Sequence, residues 1–175
     1  EENAAVCASC HGANGAKPIM GSYPKLSGLG EKYLYRQLVL IKDKERNIAE
    51  MTGILDNMDD QDLQDLAAYY NEQEMVVGQA DPDLVDQGAA LYRGGNMATG
   101  VPSCAGCHSP QGVGNEPAGY PALGGQNAEY LVKQLKAYRD GERNSGVNAS
   151  IMMDVASKLT DAEIEAVSSY ISGLN

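Results

Sequence analysis

Apolar residues recur along this 175-residue chain at helical spacing, and no segment alternates convincingly as a strand would. Leu34, Leu38 and Ile41 fall at i, i+4 and i+7, which predicts a helix over about residues 31–44 with one apolar face. Leu131, Leu135 and Tyr138 make the same stripe over about residues 128–139. A third stripe, Leu63, Leu66 and Tyr70, has its partner in Ile164, Val167 and Ile171 near the C-terminus. Thr160 and Glu163 stand at capping-box spacing before that last helix, and Asp59 can cap the earlier copy. Gly30 and Asn127 occupy matching N-cap positions ahead of the first two.

These stripes belong to one text written twice. Tyr23-Pro24-Lys25-Leu26 returns 97 residues later as Tyr120-Pro121-Ala122-Leu123. Asp43-Lys44-Glu45-Arg46-Asn47 returns as Asp140-Gly141-Glu142-Arg143-Asn144 at the same offset. The second copy then runs four residues longer, so Met51 matches Met152 and Met58 matches Leu159. The repeat predicts an all-α chain of two tandem units, residues 1–78 and 79–175, packed about an approximate two-fold axis. The linker falls at about residues 74–83, where Gly78 and Asp81-Pro82 break regular structure. Asp81 and Pro82 also predict a capped helix running to about Tyr92. Residues Glu1 to Val6 form a short lead-in to the first unit, which lacks a full equivalent of that helix.

Chemistry enters with Cys7-Ala8-Ser9-Cys10-His11 and Cys104-Ala105-Gly106-Cys107-His108. C-x-x-C-H is the attachment signature of a c-type haem: two thiols form thioethers, and the His that follows becomes an axial ligand. The two copies use every cysteine and histidine of the chain. A zinc site would need a second ligand pair much nearer, and a redox dithiol a βαβ setting. Structural disulfides leave the His after each pair unexplained. The reading is two covalent haems, with His11 and His108 on iron.

An iron with one His has a second axial position, and its occupant separates electron carriers from gas binders and oxygen chemistry. With both His used, a Met thioether is the available soft ligand. Met51 and Met152 are the only Met pair in register, with Met153 a rival one residue away; the other Met are read as core filler. Pro24 and Pro121 each follow their His by 13 residues, and their carbonyls are candidates to accept the other imidazole N–H. The alternative is that each Pro only shapes a turn. Arg46 and Arg143, with Tyr hydroxyls, are candidates to satisfy haem propionates at a shared domain interface; otherwise they are simply solvated. The chain has ten Tyr but neither Phe nor Trp, so Tyr must carry the aromatic packing around the haems.

Net charge is −11, shared evenly: the first unit carries 7 basic and 13 acidic residues, the second 6 and 11. This argues against nucleic acid and fits a partner with a basic patch. No apolar run is long enough to cross a membrane. Haem attachment of this type implies export, so a signal segment is expected ahead of Glu1.

Together, the paired motifs, the Y-P-x-L segments, Tyr33-Leu34-Tyr35-Arg36-Gln37-Leu38, Tyr130-Leu131-Val132-Lys133-Gln134-Leu135 and the closing Ser168-Ser169-Tyr170-Ile171 resemble the diheme cytochromes c of the c4 type. That resemblance spans nearly the whole chain. It implies two tandem class I cytochrome c domains, with Met51 and Met152 as axial ligands. It also implies a periplasmic electron carrier serving a terminal oxidase, often loosely held at the membrane. Members begin with another helical turn or two, which this N-terminus departs from. The expectation is a monomeric, non-enzymatic shuttle of single electrons between respiratory partners. The alternatives are a diheme peroxidase and a haem gas sensor. Acid–acetone extraction is expected to leave a red chromophore on the protein; a colourless chain would sink the thioether reading.

Overall fold

Four amphipathic helices form the frame, and their ends are set by local chemistry. A computed structural model describes residues 4–175; the first three residues of the lead-in lie outside the described residues. Helix α1 (Ala4–His11) carries the first C-x-x-C-H motif. Helices α2 (Glu31–Lys42) and α3 (Asp60–Asn71) complete the first unit, with 3-10 turns at Ala13–Gly15 and Ala49–Met51. The second unit adds α4 (Val85–Gly94), α5 (Ala105–His108), α6 (Ala128–Arg139), α7 (Ala149–Ser157) and α8 (Asp161–Ser172). The fold is all-α: the described residues contain two isolated β-bridges, Asn96 to Val101 and Asn115 to Tyr120, and no strand.

Capping boxes start α3 and α8. Asp59 accepts from the Asp62 N–H and Thr160 from the Glu163 N–H, and in each case the third helical residue reaches back. Helix α6 starts as expected after its N-cap Asn127, and one predicted start, that of α4, differs. Asn127 makes no side-chain cap on α6; its amide instead donates to the Tyr23 carbonyl in the other unit, at 2.8 Å. The helix after the linker begins at Val85, not Pro82, because Asp81 closes a local turn onto the Asp83 N–H first. Helix α7 was not anticipated. It lies in the lengthened part of the second repeat and carries Met152 and Met153.

Each unit has its own core. In the first, Leu34, Leu66, Ala67 and Tyr70 pack with Ala4 and Leu29. In the second, Leu91, Tyr92, Leu131, Ile164, Val167 and Ile171 carry a larger cluster. Tyr does replace the missing Phe and Trp. Tyr92, fully buried, donates to the Ser109 carbonyl at 2.7 Å, and Tyr70 donates to the Ala4 carbonyl at 3.3 Å. The linker is not slack. Gly78 N–H donates to the Ser172 carbonyl at 2.9 Å, tying it to the end of α8.

Helices α4 and α8 meet at Gly88. A Cβ there would lie 2.3 Å from the Ala166 carbonyl oxygen and 2.5 Å from the Tyr170 Cβ. Backbone cannot yield as a flexible side chain can, so only glycine permits this crossing. Gly88→Val is expected to destabilise the second unit by about 2 kcal/mol or more despite its better helix propensity. Denaturant unfolding followed by circular dichroism checks this.

Candidate functional site

In both motifs a turn of helix sets the cysteine and histidine side by side. Cys7, Cys10 and His11 lie at i, i+3 and i+4 along α1, on one face. The second motif repeats this on the short helix α5, with Cys104 at its N-cap. None of the four cysteines is paired in a disulfide. Burial pushes the Cys7 thiol above its ordinary pKa and the Cys104 thiol up to about 11, while Cys10 and Cys107 are exposed.

Each helix stops at its histidine because the next residue has a positive φ. Gly12 turns at φ 78, with the Lys17 carbonyl packed where a Cβ would stand. Ser109 adopts φ 70 and is held by its hydroxyl, which accepts the Val113 N–H, and by its carbonyl, which accepts from Tyr92. The loops then return over the imidazoles. His11 Nδ1 lies 2.8 Å from the Pro24 carbonyl oxygen and His108 Nδ1 lies 2.9 Å from that of Pro121. A carbonyl can only accept, so Nδ1 carries the proton and Nε2 keeps its lone pair. Burial lowers both imidazole pKa values, with the carbonyl contact acting weakly the other way. Buried, neutral and fixed in tautomer is the state in which His binds a metal. Tyr23 and Tyr120 tilt over the same rings, at 6.2 and 6.0 Å between centroids. The ten tyrosines are expected to pack around the haems, and these two, from the repeated Tyr-Pro segments, are the ones beside the histidines.

His108 opens into a cavity of about 370 Å³ shared with Cys104, Cys107, Pro121 and Met152. Its walls are largely apolar, from Leu91, Leu131 and Ile171 among others, and Met153 is not among them. Imidazole, thioether and two thiols around an apolar space form a donor set suited to a covalent haem. The first site differs. Met51 lines a separate cavity of about 160 Å³ with Arg46, Ile48 and Leu55, and His11 does not border it.

Arg46 and Arg143 meet at the interface of the two units. Arg46 donates to Gln37 at 2.7 Å in its own unit, and to Gln134 at 3.0 Å and the Tyr130 hydroxyl at 3.4 Å in the other. Arg143 donates to Gln134 at 2.9 Å in its own unit, and to the Tyr33 hydroxyl at 2.9 Å and Gln37 at 3.1 Å across. Every residue of one set is the repeat counterpart of one in the other, so the contact is isologous and the axis approximately two-fold. Burial raises the Tyr130 hydroxyl's pKa, but the Arg46 and Arg143 charges outweigh it and hold it below the ordinary value.

Lys25 breaks this symmetry, its counterpart being Ala122. It is buried, and its ammonium donates to Val76 of the linker at 2.5 Å and to the Gly125 carbonyl at 2.7 Å. Its backbone exchanges both hydrogen bonds with the side chain of Gln126, each at 2.9 Å. Sequence reasoning missed Lys25 and Gln126. The one available signal was a Lys inside an otherwise apolar repeat position.

Tandem helical units, each presenting a C-x-x-C-H helix beneath a returning Tyr-Pro loop, define a haem-attaching electron-transfer domain used twice. The family model described as cytochrome c matches residues 3–73 and 85–175. The chain is 53% identical to cytochrome c4 of Pseudomonas aeruginosa, over all of this chain and 87% of that protein. The solved structure of reduced recombinant cytochrome c4 from Pseudomonas stutzeri superposes with a TM-score of 0.94 at 48% identity, covering 99% of this chain and 96% of that one. A more distant relative, a thiosulfate dehydrogenase electron acceptor of Thiomonas intermedia, is 37% identical over 97% of this chain and 78% of its own length. The chain belongs to the cytochrome c family, as a diheme cytochrome of the c4 type with two covalently bound haem c groups.

Arg143→Ala removes the bonds to Tyr33 and Gln37 and leaves Gln134 short of a donor. Each bond to a charged group is worth about 1.5–3 kcal/mol. The variant is expected to split the unfolding of the two units into separate calorimetric transitions. A single, unmoved transition would show that the network does not hold them together.

Proposed function

We propose that this protein is a periplasmic electron carrier that moves single electrons from a respiratory donor to a terminal oxidase or similar acceptor, and is not an enzyme. One observation carries the reading. The cavity that joins His108 to Met152 is bordered by no carboxylate and no second imidazole. A peroxidase uses a carboxylate or imidazole as acid–base group beside an openable iron, and this lining offers neither; a gas sensor needs a vacant axial position, and the presence of Met152 in the cavity of His108 supports a filled one.

In this reading His11 and Met51 hold the first iron and His108 and Met152 the second. A bound haem supplies a ferric–ferrous couple. The Pro24 and Pro121 carbonyls keep each imidazole in the tautomer that can bind iron, and the Met thioether favours the ferrous state. Arg46 and Arg143, beside the glutamine and tyrosine bonds they make, are read as partners for propionates facing the interface, an arrangement that would bring the haem edges close enough for exchange. The boundary between the units is placed at residues 78 and 79. The protein is read as a monomer with no transmembrane helix among its described residues, held loosely, if at all, at the membrane surface. The name of the Thiomonas relative, a thiosulfate dehydrogenase electron acceptor, supports a dehydrogenase of that kind as an additional class of donor.

Two outcomes test this. Met51→Ala and Met152→Ala should each abolish the sulfur-to-ferric-iron charge-transfer band of one haem only. If Met153→Ala does so and Met152→Ala does not, the ligand is the neighbouring residue. With net charge −11, the bimolecular electron-transfer rate with a basic partner should fall as ionic strength rises. A rate flat from low to high salt would point to apolar docking instead.

A further inference from the structure

The two haem sites differ in the charge that the opposite unit presents to them. The cavity at His108 is walled partly by α2 of the first unit, through Tyr33, Arg36, Gln37 and Leu40. Two arginines, Arg36 and Arg143, border it, and no carboxylate does, in a chain of net charge −11. Arg143 is committed to the interface network. Arg36 instead reaches over Gly119, where its Nη1 lies 2.5 Å from the place a Cβ would take. Among the described residues no carboxylate lies within ion-pair distance of Arg36. The charges beside it are opposite in sign and offset one another at a distance: Lys32, whose ammonium donates to the Pro117 carbonyl at 2.7 Å, and Glu116, which accepts the Lys32 backbone N–H at 2.8 Å.

The repeat counterpart of Arg36 is Lys133, and its situation is different. Lys133 reaches toward the first unit and meets Glu50 at 3.9 Å, the residue immediately before Met51. In the second unit the position matching Glu50 is Ile151, which lines the cavity and carries no charge. Each unit thus lends the other a cation, but only the second site keeps that cation without a carboxylate opposite it. Positive charge near an iron disfavours the ferric state, and a low-dielectric wall transmits it further than water does.

We propose that Arg36 is a positioning residue for the second haem, supplied by the first unit, and that its unneutralised charge raises that haem's reduction potential by more than Lys133 raises the first. The proposal rests on the ligand reading above, which the charge-transfer band of the unaltered protein tests separately. An absent band at the second haem overturns the ligand assignment; a present band with no Arg36 effect overturns only the role of Arg36.

The test is a redox titration of the intact two-haem protein, following haem-methyl resonances assigned to each unit. Arg36→Gln should lower the midpoint of the second haem and leave the first in place, while Arg36→Lys keeps most of the original value. Lys133→Gln should move the first haem less than half as far. Glu50→Gln, at a half-exposed position that folding tolerates, should raise the first haem and supplies a check independent of Arg36. Four results would overturn the proposal: no shift in Arg36→Gln, equal shifts of both haems, a Lys133→Gln shift as large as that of Arg36→Gln, or no rise in Glu50→Gln.

Discussion

A guanidinium buried between two packed units must find partners for its N–H groups, and the whole arrangement of this protein follows from where Arg143 finds them. At 8% exposure it has little access to water, so protein atoms must replace it. Gln134, Gln37 and Tyr33 do so, and the Arg143 guanidinium also stacks 4.6 Å from the Tyr138 ring centroid. Because the units are repeats, the solution for Arg143 is a solution for Arg46 as well. Each glutamine side chain accepts from both arginines, so neither unit can be displaced without stranding donors in both. Angle and register between the units are set by this exchange, and α2 and α6 are thereby held as mutual walls.

Symmetry then has local exceptions, and they bear on function more than the symmetric part does. Lys25 has no counterpart cation, and its ammonium binds the linker and the second unit through backbone carbonyls alone. Its neighbour Pro24 supplies the carbonyl that orients His11, so the clamp and the first imidazole share one stretch of chain. Glu50 faces Lys133, whereas the matching position holds Ile151. The chain's acidity is spread over its surface, yet the larger cavity is bordered only by basic and neutral groups. A protein can be acidic toward its partners and locally cationic toward its cofactor, because solvent screens the first field and the dry interior preserves the second.

Much of the fold was legible along the chain. Helices α2, α3, α6 and α8 could be read from their stripes and caps because amphipathic period and capping boxes are local properties. The haem chemistry could be read from C-x-x-C-H because thioether formation needs that spacing whatever surrounds it. Helix α7 was missed because the four extra residues of the second repeat removed the register that guided the rest. The start of α4 was misplaced because Asp81 had two local partners to choose from, and a turn captured it before a helix could.

What the amino-acid order determined by itself was the helical period and the identity of the donor atoms, both properties of near neighbours, and the repeat, which needs only comparison of the chain with itself. Tertiary structure alone decided which long side chains cross between the units. Gln37 and Arg143 are 106 residues apart, and Lys25 and Gln126 are 101 apart. No periodicity links such positions; only the packing of α2 against α6 brings them together. The same packing decided that Met152 shares a cavity with His108 while Met51 lines one that His11 does not border, although the repeat treats the two methionines as equivalent. Repeated sequence specifies repeated helices, but the space between the helices depends on every side chain that fills it, and those differ between the two copies.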